Sequence, residues 1–90
     1  MIPFRKPGAG QPPALRLLSR SGCHLCEEMK AVVAPLVLSR GGTLDVLDVD
    51  SDPVLAARWG NEIPVLLDER GRVVAKVRDS AAKIARRLGL

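Results

Sequence analysis

Ala14-Leu15-Arg16-Leu17-Leu18-Ser19, then Arg20-Ser21-Gly22, then Cys23-His24-Leu25-Cys26-Glu27-Glu28: this stretch decides how the chain reads. A short apolar run, a strand by length and composition, gives way to two cysteines with two residues between them. Behind them Leu25, Met29, Val32 and Leu36 recur at helical spacing, with Val33 and Val37 widening the stripe. The helix is expected from His24 to about Ser39. A C-x-x-C pair where a strand turns into a helix is the sequence form of a thiol–disulfide redox centre. The same spacing also serves as half of a zinc site, so the rest of the chain has to decide.

Outward from the pair the pattern alternates. Pro35 lies inside the first helix, where it removes one backbone hydrogen bond, and a kink is expected there. Gly41-Gly42 stops the helix. Thr43 to Val49 alternates apolar and polar residues and reads as a second strand. Asp50-Ser51-Asp52-Pro53 supplies an N-cap and a first-turn proline for a short helix ending at Trp59-Gly60. Val65-Leu66-Leu67 is a third strand, Glu69-Arg70-Gly71 a turn, and Arg72 to Val77 a fourth strand, antiparallel to the third because the connection is short. Asp79 or Ser80 caps a last helix carrying Ala81, Ile84, Ala85 and Leu88 on one face. Lys83, Arg86 and Arg87 lie towards its C-terminal end, where the helix dipole favours positive charge. Residues 1–13, with four prolines and two glycines, are expected to be a flexible leader. One domain of the α/β class is expected over 14–90, in the order β-α-β-α-β-β-α. Its four-stranded mixed sheet begins with a parallel pair joined by a right-handed crossover.

Composition excludes several classes of function. Ninety residues make one small domain. Its two cysteines stand too close together to staple an unfolded chain. No apolar stretch reaches the roughly 20 residues needed to cross a bilayer, and nothing at the N-terminus reads as a signal peptide. A cytoplasmic, monomeric protein with no membrane or nucleic-acid partner is therefore expected. The net charge of +4 is spread among interleaved acids and bases, and only Phe4 and Trp59 could stack on nucleobases.

The C-x-x-C after the first strand, Ile63-Pro64 directly before the third, and Asp48-Val49-Asp50 at the end of the second carry a resemblance. Over residues 14–90 the chain resembles the thioredoxin-fold superfamily. It is most similar to small glutaredoxin-like proteins with the motif Gly22-Cys23-His24-Leu25-Cys26. The resemblance implies a thioredoxin-like fold with about three helices and a dithiol–disulfide oxidoreductase acting on protein or low-molecular-weight disulfides. No cofactor would be tightly bound, and glutathione is a candidate co-substrate. It further implies that Pro64 is cis and packs against the redox pair, and that the Ile63 backbone pairs with substrate. Asp79 and Ser80 would lie where glutaredoxins hold the γ-glutamyl end of glutathione. Val77-Arg78 stands where those proteins often carry two glycines, and leucine replaces the aromatic between their cysteines. The electron donor, glutathione or a reductase, is thus left open.

With Cys23 at the N-cap of the helix and Cys26 at N3, the two sulfurs share one face of the first turn. Unpaired N–H groups and the positive end of the dipole favour a thiolate at Cys23. Cys23 is expected to attack and Cys26, one turn in, to resolve. Lowering a thiol pKa from about 8.5 to about 7 raises its thiolate fraction roughly sixteenfold at neutral pH. It costs roughly fourfold to sixfold in intrinsic nucleophilicity, so attack gains only about threefold. The larger benefit is that Cys23 leaves faster when Cys26 displaces it. His24 would favour the thiolate as an imidazolium or relay a proton when neutral, unless it is simply an exposed first-turn residue. Arg20 would add positive potential or, by the resemblance, meet a glutathione carboxylate; alternatively it is a surface arginine ending a strand. Two other functions stay open: a module in which two chains bridge zinc or an iron–sulfur cluster through four thiolates, and a thioredoxin-fold adaptor without turnover.

Overall fold

The computed structural model describes residues 12–76, together with Arg86. Strand β1 (Ala14–Ser19) leads to helix α1 (His24–Ser39), strand β2 (Thr43–Asp48), helix α2 (Pro53–Trp59), and strands β3 (Val65–Leu67) and β4 (Val73–Lys76). The sheet order is β2-β1-β3-β4. β1 pairs with β2 in parallel and with β3 in antiparallel register, and β3 with β4 form the expected hairpin.

β1 and β3 are the inner strands, and apart from the exposed Arg16 both are apolar on both faces because helices cover both. Leu15, Leu17 and Leu66 point to one side, where Met29, Val33 and Val37 of α1 close over them with Val74 and Ala75. Leu18, Val65 and Leu67 point to the other, against Val49 and against Trp59 of α2. The buried line of α1 runs through Cys26, Met29, Val33 and Val37, one step round from the stripe read in the sequence, whose Leu25, Val32 and Leu36 are half-buried at its margin. β2, at the edge, is buried only through its half-covered Leu44 and Leu47, which is why its sequence carries Asp45 and Asp48.

Helix ends follow from identifiable bonds. At the C-terminus of α1 the Gly42 N–H reaches the Val37 carbonyl at 2.9 Å and the Gly41 N–H reaches that of Leu38 at 3.0 Å. Gly41 stands at φ +71° to allow it, a Schellman closure. The helix is continuous through Pro35. α2 starts as the sequence indicates, with the Asp52 carboxylate accepting from the Val54 N–H at 2.9 Å and Pro53 in the first turn.

Two boundaries differ from expectation. β2 ends at Asp48, one residue early, because the Asp48 carboxylate accepts from the Asp50 N–H at 2.8 Å and turns Val49–Ser51 into a single 3₁₀ turn. The fourth strand begins at Val73 rather than Arg72, since the Arg72 N–H is taken by the Asp68 side chain in the turn. Two α-helices are thus described where about three are expected. The third, capped at Asp79 or Ser80, lies outside the described residues except for Arg86, which is helical. Most of the leader and Val77 also lie outside them.

Candidate active site

Everything the sequence marks as functional, within the described residues, converges on one end of the sheet. β1 runs towards that end and stops at Ser19, whose parallel partner is Asp48 at the end of β2. β3 runs the other way, with Val65 opposite Leu18, so continuing the register sets Pro64 beside Ser19. The Ile63–Pro64 peptide is cis, Pro64 is fully buried and Ile63 half-buried.

From Ser19 the chain makes a four-residue turn into α1. The Cys23 N–H donates to the Arg20 carbonyl at 3.1 Å, and Gly22 occupies φ +78°, the left-handed position that such a turn reserves for glycine. That turn delivers Cys23 to the N-cap in extended conformation (φ −86°, ψ 104°). Its sulfur accepts the Cys26 N–H at 3.1 Å, filling the place usually taken by a serine or aspartate oxygen. Cys26 follows at N3, and the two are joined as a disulfide with Cα atoms 5.2 Å apart. Their surroundings are unequal. Cys23 is half-buried, whereas Cys26 keeps only 1% of its surface.

The charged neighbours are engaged with each other. Arg20 forks onto Asp50, with Nε to Oδ2 at 2.8 Å and Nη2 to Oδ1 at 3.0 Å, and its Nη1 donates to the Gly60 carbonyl at 3.3 Å. One side chain therefore ties the redox turn to the 3₁₀ turn after β2 and to the end of α2. The hydrogen bond from Arg20, aided by its charge, holds the Asp50 carboxyl below the ordinary aspartate value against a smaller opposing effect of desolvation. The same bond, with the charges of Asp50 and Asp48, raises Arg20 above its already high value. His24 is exposed on the first turn and meets Glu28 one turn on, Nε2 to Oε1 3.1 Å. Asp79 and Ser80 lie outside the described residues. Among the described residues no group of three or more His, Cys, Asp or Glu side chains is arranged to hold a metal ion.

A family model described as Glutaredoxin-like domain (DUF836) matches residues 14–88. The chain belongs to this family. Two solved structures are similar to this glutaredoxin-like chain. One is the X-ray structure of protein XcR50 from X. campestris, 29% identical, with a TM-score of 0.71 over 83% of this chain and 95% of that one. The other is the solution NMR structure of protein Ne2328 from Nitrosomonas europaea, 27% identical, with a TM-score of 0.71 over 84% and 91%. No curated protein matches the chain. The glutaredoxin-like domain thus has the thioredoxin-like fold, and its Cys23–Cys26 pair makes it a thiol-redox module. No helix among the described residues is long and apolar enough to cross a membrane.

Two positions that hold Arg20 at the candidate site went unread in the sequence. Asp50 entered only as part of a strand ending and helix cap, and Gly60 only as a helix stop, yet both hold Arg20. The available signal was the parallel pairing of the first two strands, which brings their C-terminal ends together. Glu28 as partner of His24 follows from i,i+4 spacing alone.

Proposed function

We propose that this glutaredoxin-like domain is a dithiol–disulfide oxidoreductase in which Cys23 attacks and Cys26 resolves. The observation that carries the reading is the unequal exposure of two bonded cysteines at the N-terminus of a 16-residue helix. In the reduced protein the Cys26 N–H and the positive end of the helix favour negative charge on the Cys23 sulfur, which faces solvent enough to be reached. The Cys23 thiolate bonds to one sulfur of a substrate disulfide, and the other departs as a thiolate and takes up a proton. Cys26, losing its proton, then bonds to the Cys23 sulfur and expels the second substrate thiol. Two electrons and two protons pass from the dithiol to the substrate, leaving the Cys23–Cys26 disulfide. A low-molecular-weight thiol such as glutathione, or a dithiol protein reductase, returns both.

Ile63 and Pro64 border this site through β3 and offer the backbone edge against which an extended substrate would lie; Asp79 and Ser80 remain candidates for the far end of a thiol substrate. Protein disulfides and small disulfides are the partners, the chain acts as a monomer, and a reducing cytoplasm suits a pair that must rest as a dithiol. The test is turnover of a small disulfide with either donor. Cys23→Ser should fall to the buffer background. Full activity in that variant, or no turnover of the native protein with any thiol donor, would contradict the proposal.

A further inference from the structure

Arg20 is the first residue of the turn whose last residue is Cys23, so their Cα atoms lie within about 7 Å. A substrate disulfide with one sulfur at Cys23 would bring groups next to that sulfur within reach of an arginine side chain. A free guanidinium there would favour a carboxylate, since its fork of donors matches two oxygens. In this chain the Nε–Nη2 fork is already filled. Asp50 takes the Nε and Nη2 donors, Gly60 takes one on Nη1, and the charge that would attract an anion is matched by a carboxylate of the protein itself. The arrangement joins the turn at Arg20 to residues 30 and 40 positions further along the chain. Both side chains are partly open to solvent, at 39% and 52%, so a substrate carboxylate would compete with Asp50 for the same donors.

We propose that Asp50 is a specificity-determining residue: by occupying Arg20 it turns the redox end against disulfides bearing a carboxylate near the sulfur and towards uncharged or basic ones. This rests on the redox reading above. It places glutathione disulfide among the poorer oxidants of the reduced protein and a protein disulfide in neutral or basic surroundings among the better ones.

The test is the single-turnover oxidation of the fully reduced full-length protein by two probes, anionic dithiodiglycolate and uncharged bis-hydroxyethyl disulfide. The readout is the ratio of their rates; a merely structural change would lower both rates in parallel and leave the ratio unmoved. At an ionic strength of about 0.15 M, where charges beyond about 8 Å are screened, Asp50→Asn should raise the anionic-to-neutral ratio. An increase of about twofold to fivefold matches the strength of an exposed ion pair. Asp50→Glu, which keeps the charge, should leave the ratio near that of the native protein and serves where the amide variant folds poorly. In an Arg20→Gln background the gain from Asp50→Asn should shrink to less than about half its size. A ratio unmoved by Asp50→Asn, or moved equally with and without Arg20, would overturn this inference alone. Native protein that neither probe oxidises would overturn it together with the redox reading.

Discussion

The two ends of the sheet are each closed by an arginine–aspartate pair, and the two pairs are built differently. At the hairpin end Asp68 and Arg72 are four residues apart. The Asp68 carboxylate accepts from the N–H groups of Arg70 and Arg72 and from the Arg72 guanidinium, each at 2.9 Å, so one side chain staples one turn. At the redox end Arg20 and Asp50 are 30 residues apart, and the pair joins the turn before Cys23 to the loop after β2. The local pair shapes only its own hairpin. The distant pair exists only once the sheet has formed, and its arginine opens the turn that delivers Cys23. Structural economy is local here, whereas the site is assembled from segments that folding brings together.

Changes at the two ends should therefore separate activity from stability. The largest contrast is Cys23→Ser, which should abolish turnover while shifting unfolding of the reduced protein by no more than about 0.5 kcal/mol, as for substitutions outside the core. Turnover assays and denaturant titration check it together. Between the two ends, Leu66 is fully buried on β3 against α1. Leu66→Ala should cost about 2–5 kcal/mol in denaturant unfolding, with residual activity tracking the folded fraction. A variant that stays folded yet inactive would mean that β3 transmits more to the site than Pro64 alone. Asp68→Ala should cost about 1 kcal/mol and leave turnover intact, since it frees turn N–H groups that water can reach. A fall in turnover would break the division between the two ends.

The smallest effect is one of pH. Burial by itself would raise the Asp68 carboxyl, but the N–H groups of Arg72 and Arg70 and the Arg72 guanidinium outweigh it and hold the group below its ordinary value of 3.8. A carboxyl depressed in the folded state stabilises above its unfolded value, and that contribution is lost as pH falls through the lower folded value. The Tm difference between native protein and Asp68→Asn should thus be constant near neutrality and shrink as acid is added from just above pH 3.8 downward. A difference that grows in acid would reverse the sign assigned here.

Much of this was legible in the chain, for reasons that differ by element. α1 announces itself because burial on one face imposes a period, β1 and β3 because burial on both faces leaves short apolar runs, and Cys23 at the N-cap follows from where the helical pattern begins. Ends decided by one side chain were harder: Asp48 takes the Asp50 N–H and shortens β2, and Asp68 takes the Arg72 N–H and delays β4. Least legible was the Arg20–Asp50–Gly60 linkage, which depends on the register of β1 against β2 and on where α2 ends. Periodicity carries neither. Pro64 occupies the middle ground: its nearness to the pair came from a resemblance, and the β1–β3 register now sets it beside Ser19.

The division of labour between the cysteines is the centre of the account, and limited alkylation of the reduced protein followed by peptide mapping tests it most directly. With less than one equivalent of iodoacetamide at neutral pH, the label should fall overwhelmingly on Cys23, half-exposed at the helix N-cap, and spare Cys26, which keeps 1% of its surface. Label divided equally between the two, or found first on Cys26, would contradict an attacking Cys23 and a resolving Cys26.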